Sequence, residues 1–402
     1  MTGKLFVTGM VRSGTTLISR SLDAHPQVAC ALSPALGLFR AVRNELEYQQ
    51  YGRSPDPEAP FTDFFFALKP DLEMFLQADF NLPVTVETLE VIRERLHHYS
   101  RDNSPLLAPE LARLGSRQTR QTYSGLLEEL LGLLREVYGT VQSSWVGFVQ
   151  NWVEGFVPLW FNTWPDSICV HILRDPRAVL ASWLAAPPLE LRHDYPLLMM
   201  LRHWRKSAAL ASLFRRRFGG SYLVWRYEDF VQNPEALLAD FCRRAGLDFS
   251  PSMVETARFS DGGGQNWQSN TSYRDKPQEI SPRFLDKWRE RLPEKDLQFI
   301  EDVCAPEMER WGYARLTPTG VPASLLKVPD LCRRISGASD WMEHYAGEYD
   351  PHPLNCAKEL YRWYLWAHPE VARSLASREQ ESVFIDPELV AGLKHPTLRT
   401  VE

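Results

Sequence analysis

Four short apolar runs stand out in a chain whose other hydrophobic residues mostly recur at helical spacing. The first, Leu5-Phe6-Val7, leads into a turn bracketed by Gly9 and Gly14, and an amphipathic stretch from Thr15 follows with Leu17, Ile18, Ser21 and Leu22 on one face. The second is short, Trp145 to Val149. The third, Ser167 to Leu173, is the near-continuous apolar run of a parallel strand buried on both faces. The fourth, Ser221 to Trp225, precedes Arg226-Tyr227-Glu228-Asp229. Between Ser33 and Gly139 the pattern changes to helices and aromatic-rich loops with no clear strand. Its best helix runs from about Tyr123 to Tyr138, with Thr122 as cap. Asp194 to Arg216 reads as a helix, basic on one face (Arg202, Arg205, Lys206, Arg215, Arg216 and Arg217), which is expected to be solvated. Pro293 to Gly312 reads as a further helix, and beyond Pro318 the pattern stays helical and aromatic-rich, as in Cys356 to Trp366. This predicts an α/β domain over 1–317, with a helical insert at about 34–140, and a helical C-terminal extension over 318–402.

Strand, glycine-rich turn, helix is an architecture that holds phosphate, because loop amides and the helix N-terminus point at the anion. Gly9-x4-Gly14 has P-loop spacing, but Thr15-Thr16 stands where a nucleotide triphosphatase has Lys-Ser/Thr. The positive charge lies inside the turn instead, at Arg12. A second cluster closes the third apolar run: Arg174-Asp175-Pro176-Arg177, with Ser182 two turns into the next helix. That places Arg174 at a strand's carboxyl end, the edge where open α/β sheets bind ligands. Gly262-Gly263-Gly264 lacks the flanking strand and helix of a phosphate loop and reads as a mobile hinge.

The Arg12 to Thr16 loop with Asp23-Ala24-His25-Pro26 behind it, the Arg174–Ser182 cluster, Tyr227 with Asn233-Pro234-Glu235, and Lys287-Trp288 together resemble the PAPS-dependent sulfotransferases. The likeness is greatest to their tyrosylprotein and carbohydrate-type branches and covers roughly residues 1–315, outside the insert. It implies a three-layer α/β fold with a parallel sheet and a P-loop-like turn. Arg12, Ser13, Gly14, Thr15 and Thr16 would hold the 5′-phosphate of PAPS, and Arg174 and Ser182 its 3′-phosphate. Tyr227 would contact the nucleotide, and Ser272 and Lys287 would bracket it. Arg12 and Ser272 would stabilise charge on the leaving oxygen, with no metal. His25 is expected to be structural, at a helix end. The family's acidic base falls on Ser33 and its second lysine near Val149-Gln150, so the acceptor half departs from the pattern. Either the base comes from His193, Asp194 or Glu154, or the acceptor needs little help, or the fold serves nucleotide binding alone.

The 402 residues carry a net charge of −6, which gives no reason to expect a nucleic-acid or anionic-membrane partner. Six scattered cysteines without metal-ligand spacing point to a reduced compartment. The first strand begins almost at once, leaving no room for a signal peptide, and no apolar run reaches the roughly 18 residues of a membrane span. The expected protein is a cytoplasmic sulfotransferase using PAPS, giving PAP, on a hydroxyl or amine of a small-molecule acceptor such as a natural product, glycan or lipid. The alternatives are a PAP(S)-binding protein without standard turnover and a P-loop kinase or NTPase. The extension would be a homodimerisation arm, a pocket cover or a docking module.

Overall fold

The computed structural model describes residues 2–53, 61, 65, 71–116, 121–185, 197–269, 279–318 and 353–393. The chain divides into two units: Met1–Thr62, Asp71–Leu173 and Phe214–Pro282 form the first, and Asp63–Pro70, Arg174–Leu213 and Arg283–Glu402 the second.

The first unit is built on five parallel strands: β1 (Gly3–Gly9), β2 (Val28–Leu32), β5 (Trp145–Asn151), β6 (Ile168–Leu173) and β7 (Tyr222–Arg226), in the order β2-β5-β1-β6-β7. From β1 the chain moves one way through α1 (Thr15–Asp23) to β2, and from β5 it moves the other way through α6 (Val157–Thr163) to β6. Right-handed crossovers in opposite directions put helices on both faces, which makes the three-layer α/β fold. The reversal is centred on β1, whose carboxyl end carries the glycine-bracketed turn. Leu5, Phe6 and Val7 are fully buried, and the Phe6 ring packs 5.0 Å from Trp160 and 5.8 Å from Phe39.

The insert between β2 and β5 is largely helical, as the pattern indicates: α2 (Leu36–Tyr51), α3 (Asp71–Gln77), α4 (Val86–Asn103) and α5 (Tyr123–Tyr138). Thr122 caps α5, its Oγ1 accepting Gly125 N–H at 3.1 Å. Three strands escape the sequence reading. β2 is rich in alanine and cysteine and has little intrinsic strand preference, so its conformation is set by pairing with β5. The two-residue β3 (Pro83–Val84) and β4 (Gln121–Thr122) are too short to leave a period-2 signal. The triple-glycine segment is not a hinge. Asp261 Oδ1 accepts Gly263 and Gln265 N–H at 2.8 and 2.9 Å, and Ser260 bridges Asn266, so the segment closes as a tight turn.

The second unit gathers α7 (Pro176–Leu184), most of α8 (Leu197–Phe218), α11 (Glu294–Arg310), α12 (Pro353–Ala367) and three short helices, α13 (Pro369–Ser374), α14 (Ser377–Phe384) and α15 (Pro387–Gly392). The short α9 (Tyr227–Gln232) and α10 (Pro234–Ala245) belong to the first. The basic face of α8 is the clearest correction in this unit. Only Arg215, Arg216 and Arg217, in its last turn, are exposed, whereas Arg202, Arg205 and Lys206 are buried. Glu359 and Glu307 explain two of these burials: Arg205 Nη1 donates to Glu359 at 2.6 Å, and its Nε lies 3.5 Å from Glu307. Arg202 Nε lies 3.8 Å from Glu359. No helix of the described residues is long and apolar enough to cross a membrane.

Candidate functional site

In the first unit, the turn after β1 is shaped by two glycines and a serine. A Cβ at Gly9 would lie 2.5 Å from Ile172 O on β6, so the strand can end this close to its neighbour only as glycine. Ser13 donates to Met10 O through both its N–H and its Oγ, which closes the turn from inside and occupies both donors. Gly14 is the left-handed N-cap of α1, with φ 93°, and a Cβ there would stand 2.2 Å from the Tyr227 ring. Tyr227, at the end of β7, is thereby seated against the turn. The first amide with a helix partner is Ile18, donating to Gly14 O at 3.2 Å. The amides of Thr15, Thr16 and Leu17 are therefore those a helix start leaves for an anion, beside the half-buried Arg12. Gly14→Ala should cost about 1–3 kcal/mol from backbone strain. It should cost less in a Tyr227→Ala background, where the clash is gone; urea titrations of the four proteins measure that coupling.

Strain concentrates at this edge. Arg12 (φ 66°), Ser33 (φ 44°) and Trp152 (φ 73°) are the left-handed non-glycine residues of the described first unit, and they follow β1, β2 and β5, which are neighbours in the sheet. Such residues cost energy and persist where surrounding structure fixes them. Ser33 N–H donates to Val149 O at 2.8 Å, Trp152 N–H to Gly9 O at 3.3 Å, and Thr8 Oγ1 to Gln150 O at 2.9 Å. The buried Gln150 side chain accepts Ala35 N–H at 3.1 Å. The positions where the resemblance places a glutamate and a lysine thus hold together the ends of β2 and β5. Neither Gln150 nor the strained Trp152 figures among the predicted site residues. The departure from a lysine at 149–150 is legible in the sequence, but its replacement by an internal amide clamp is not.

Behind the turn, Asp23 Oδ1 accepts Cys30 N–H at 2.7 Å, and Arg20 donates to Asp23 Oδ2 at 3.2 Å and to Cys30 O at 3.0 Å. Burial pushes the Asp23 carboxyl up, against the pull of Arg20. His25 Nδ1 accepts Gln27 N–H, and its Nε2 lies 2.9 Å from Asp248 O. The Asp-Ala-His-Pro sequence therefore fixes the end of α1 against β2, the structural part expected of His25.

In the second unit, Arg174 is half-buried and its carbonyl accepts Trp204 Nε1 at 2.8 Å. Asp175 caps α7 by accepting Arg177 N–H at 2.9 Å. Arg177, to which the sequence reading gives no role, organises this motif. It donates to Asp175, to Glu301 at 2.7 Å and to Ala314 O at 2.9 Å, and its guanidinium lies 4.5 Å from the Trp288 ring. Glu301 also accepts Leu316 and Thr317 amides. These contacts seat the Lys287–Glu290 turn on α7, which carries the buried Ser182. Lys287 Nζ lies 4.7 Å above the Phe284 ring. Of the predicted site residues, Arg12 to Thr16 and Tyr227 come together in the first unit, and Arg174, Ser182 and Lys287 belong to the second. Ser272, His193 and Asp194 lie outside the described residues. Among the described residues there is no cluster of three or more histidine, cysteine, aspartate or glutamate side chains able to hold a metal ion.

Comparison with known proteins bears on this arrangement. The profile of the Sulfotransferase family matches residues 4–251. Carbohydrate sulfotransferase 3 of Rattus norvegicus is 27% identical over 164 residues, 37% of this chain and 34% of the rat protein. Carbohydrate sulfotransferase 7 of Mus musculus is 33% identical over 99 residues, 23% of this chain and 19% of the mouse protein. The chain thus spans about a third or less of the length of these curated relatives. Among solved structures, the sulfotransferase domain of the Synechococcus PCC 7002 olefin synthase aligns with TM-score 0.43 at 18% identity, covering 78% of this chain and 95% of that domain.

Proposed function

This chain belongs to the sulfotransferase family, and on that premise we propose that it transfers a sulfuryl group from PAPS to a hydroxyl or amine of a small-molecule acceptor, releasing PAP. The observation that carries this reading is the turn after β1. That turn combines the start of α1 with an arginine, Arg12, whose backbone is held left-handed, and lacks the lysine that a nucleotide triphosphatase sets on its β- and γ-phosphates. A 5′-phosphosulfate is shorter than a triphosphate, and a cation inside the turn suits the oxygen that bridges its phosphorus and sulfur. Arg12 and the amides of Thr15 and Thr16 would hold that end. In the second unit, Arg174 and Ser182 offer a fork and a hydroxyl for the 3′-phosphate, with α7 fixed by the Arg177–Glu301 pair. The names of the carbohydrate sulfotransferases support a sugar hydroxyl as one acceptor class.

A second reading, PAP(S) binding without standard turnover, has a specific observation in its favour: Ser33 and Gln150 are engaged in backbone contacts where the resemblance places a base and a lysine. Calorimetric titration with PAP and with ATP tests the cofactor half of both. PAP should bind and ATP should not, and Arg174→Ala should weaken PAP at least tenfold, in line with the roughly 1.5–3 kcal/mol of a charged hydrogen bond. Absence of PAP binding overturns both readings, and preferential ATP binding restores the kinase alternative. Turnover of PAPS with an acceptor separates enzyme from binder.

A further inference from the structure

We propose that Glu154 accepts the acceptor's proton in this site, a role that position 33 cannot fill; the inference rests on the sulfotransferase reading above. Glu154 opens a short turn, Glu154–Phe156, three residues past the carboxyl end of β5 and two past the strained Trp152. The Trp152 amide is bonded to Gly9 O, so the start of this segment is stitched to the turn that carries Arg12. The glutamate is 1% exposed, and its Oε2 has no hydrogen-bond partner among the described residues. Asp23, the last residue of α1, is by contrast paired with Arg20 and accepts Cys30 N–H. A buried carboxylate oxygen without a donor calls for a role; Glu129, Glu307 and Glu359 also have one such oxygen, but their second oxygens accept from Gly115 N–H, Arg362 and Arg205.

The groups around it fit that role. The buried Tyr222 hydroxyl is hydrogen-bonded to His171 Nδ1. Burial raises the Tyr222 phenol, with Cys169 and then Glu154 adding to the effect.

In the step, the acceptor O–H bond breaks with its proton passing to Glu154, and the oxygen's electron pair forms the new bond to sulfur. The sulfur–oxygen bond to the 5′-phosphate breaks, its electron pair leaving with PAP, and Arg12 faces the charge that develops. Glu154 returns the proton to solvent after product release.

Two acceptors distinguish a base from a structural residue. Benzyl alcohol holds its proton tightly and needs a base, whereas 4-nitrophenol is acidic enough to react with little help. Glu154→Gln should lower kcat with benzyl alcohol by 10²-fold or more. With 4-nitrophenol the loss should stay within about tenfold, and PAP affinity and melting temperature should match those of the unaltered protein. Glu154→Asp should recover part of the benzyl alcohol rate. Equal losses with both acceptors, no loss with either, or failure of both variants to fold would each overturn the assignment, the last by making Glu154 a core residue. If the unaltered protein binds PAP but turns over neither acceptor with PAPS, the reading as an enzyme gives way to PAP(S) binding without turnover, and the assignment to Glu154 falls with it.

Discussion

Arg12→Ala is expected to lower kcat for sulfuryl transfer by about 10²–10³-fold, equivalent to roughly 2.7–4 kcal/mol of transition-state stabilisation, while PAP affinity changes much less. The asymmetry follows from where charge appears. In the proposed ground state the 5′-phosphate would already be held by helix-start amides, whereas the bridging oxygen gains charge only as its bond to sulfur breaks. Arg12→Gly sharpens the test. Arg12 has φ 66°, and a left-handed conformation costs an ordinary L-residue about 1–2 kcal/mol that glycine avoids. The glycine variant should therefore be no less stable than the native chain, yet as slow as the alanine variant. Such a pair of results would mean that strain is retained at this position for function. Steady-state assays with PAPS, calorimetry with PAP and urea titration together measure the three quantities. If PAP affinity falls as far as kcat, Arg12 is a ground-state phosphate ligand and something else stabilises the leaving group.

The parts of this molecule that are legible in the sequence are those that local rules determine. Apolar runs buried on both faces announce β1, β6 and β7, and α5 is readable to its cap because Thr122 and a long leucine periodicity coincide. The turn after β1 is legible for the same reason: Gly9 and Gly14 are demanded by contacts with Ile172 O and Tyr227 that no other residue type allows. What is not legible depends on partners far away in the chain. β2 exists because β5 pairs with it. Gln150 departs visibly from a lysine, yet its role as an amide clamp appears only once Ala35 is beside it. The triple glycine suggests mobility until Asp261 is seen to close it. The basic residues of α8 suggest solvent until glutamates from some 100 and 150 residues further on meet them.

Those glutamates carry the second large prediction. Within the second unit, Arg205 stands between Glu359 of α12 and Glu307 of α11, and Arg362 donates to Glu307 and, at 2.9 Å, to Val303 O. Arg205, Arg362 and both glutamates are no more than 1% exposed. Burial works against the Arg205 charge, and Glu359 and Glu307 outweigh it; Arg362 is lowered, by burial first and then by facing Arg205. Glu359→Ala leaves Arg205 buried with only the longer contact to Glu307, and should cost about 3–5 kcal/mol. Replacing the pair together, Arg205→Met with Glu359→Leu, should cost far less, because no lone charge remains and apolar volume fills the site. The exposed Arg258–Glu255 pair is the control, and breaking it should leave the urea midpoint unchanged. Deleting residues 353–402 removes Glu359 and Arg362 at once, which strands Arg205 and Glu307. The truncated chain should then fail to give a soluble, cooperatively unfolding protein. If it folds and binds PAP as well as the full chain does, the C-terminal helices are a separable module after all, and the buried charges of α8 and α11 must find other partners without them.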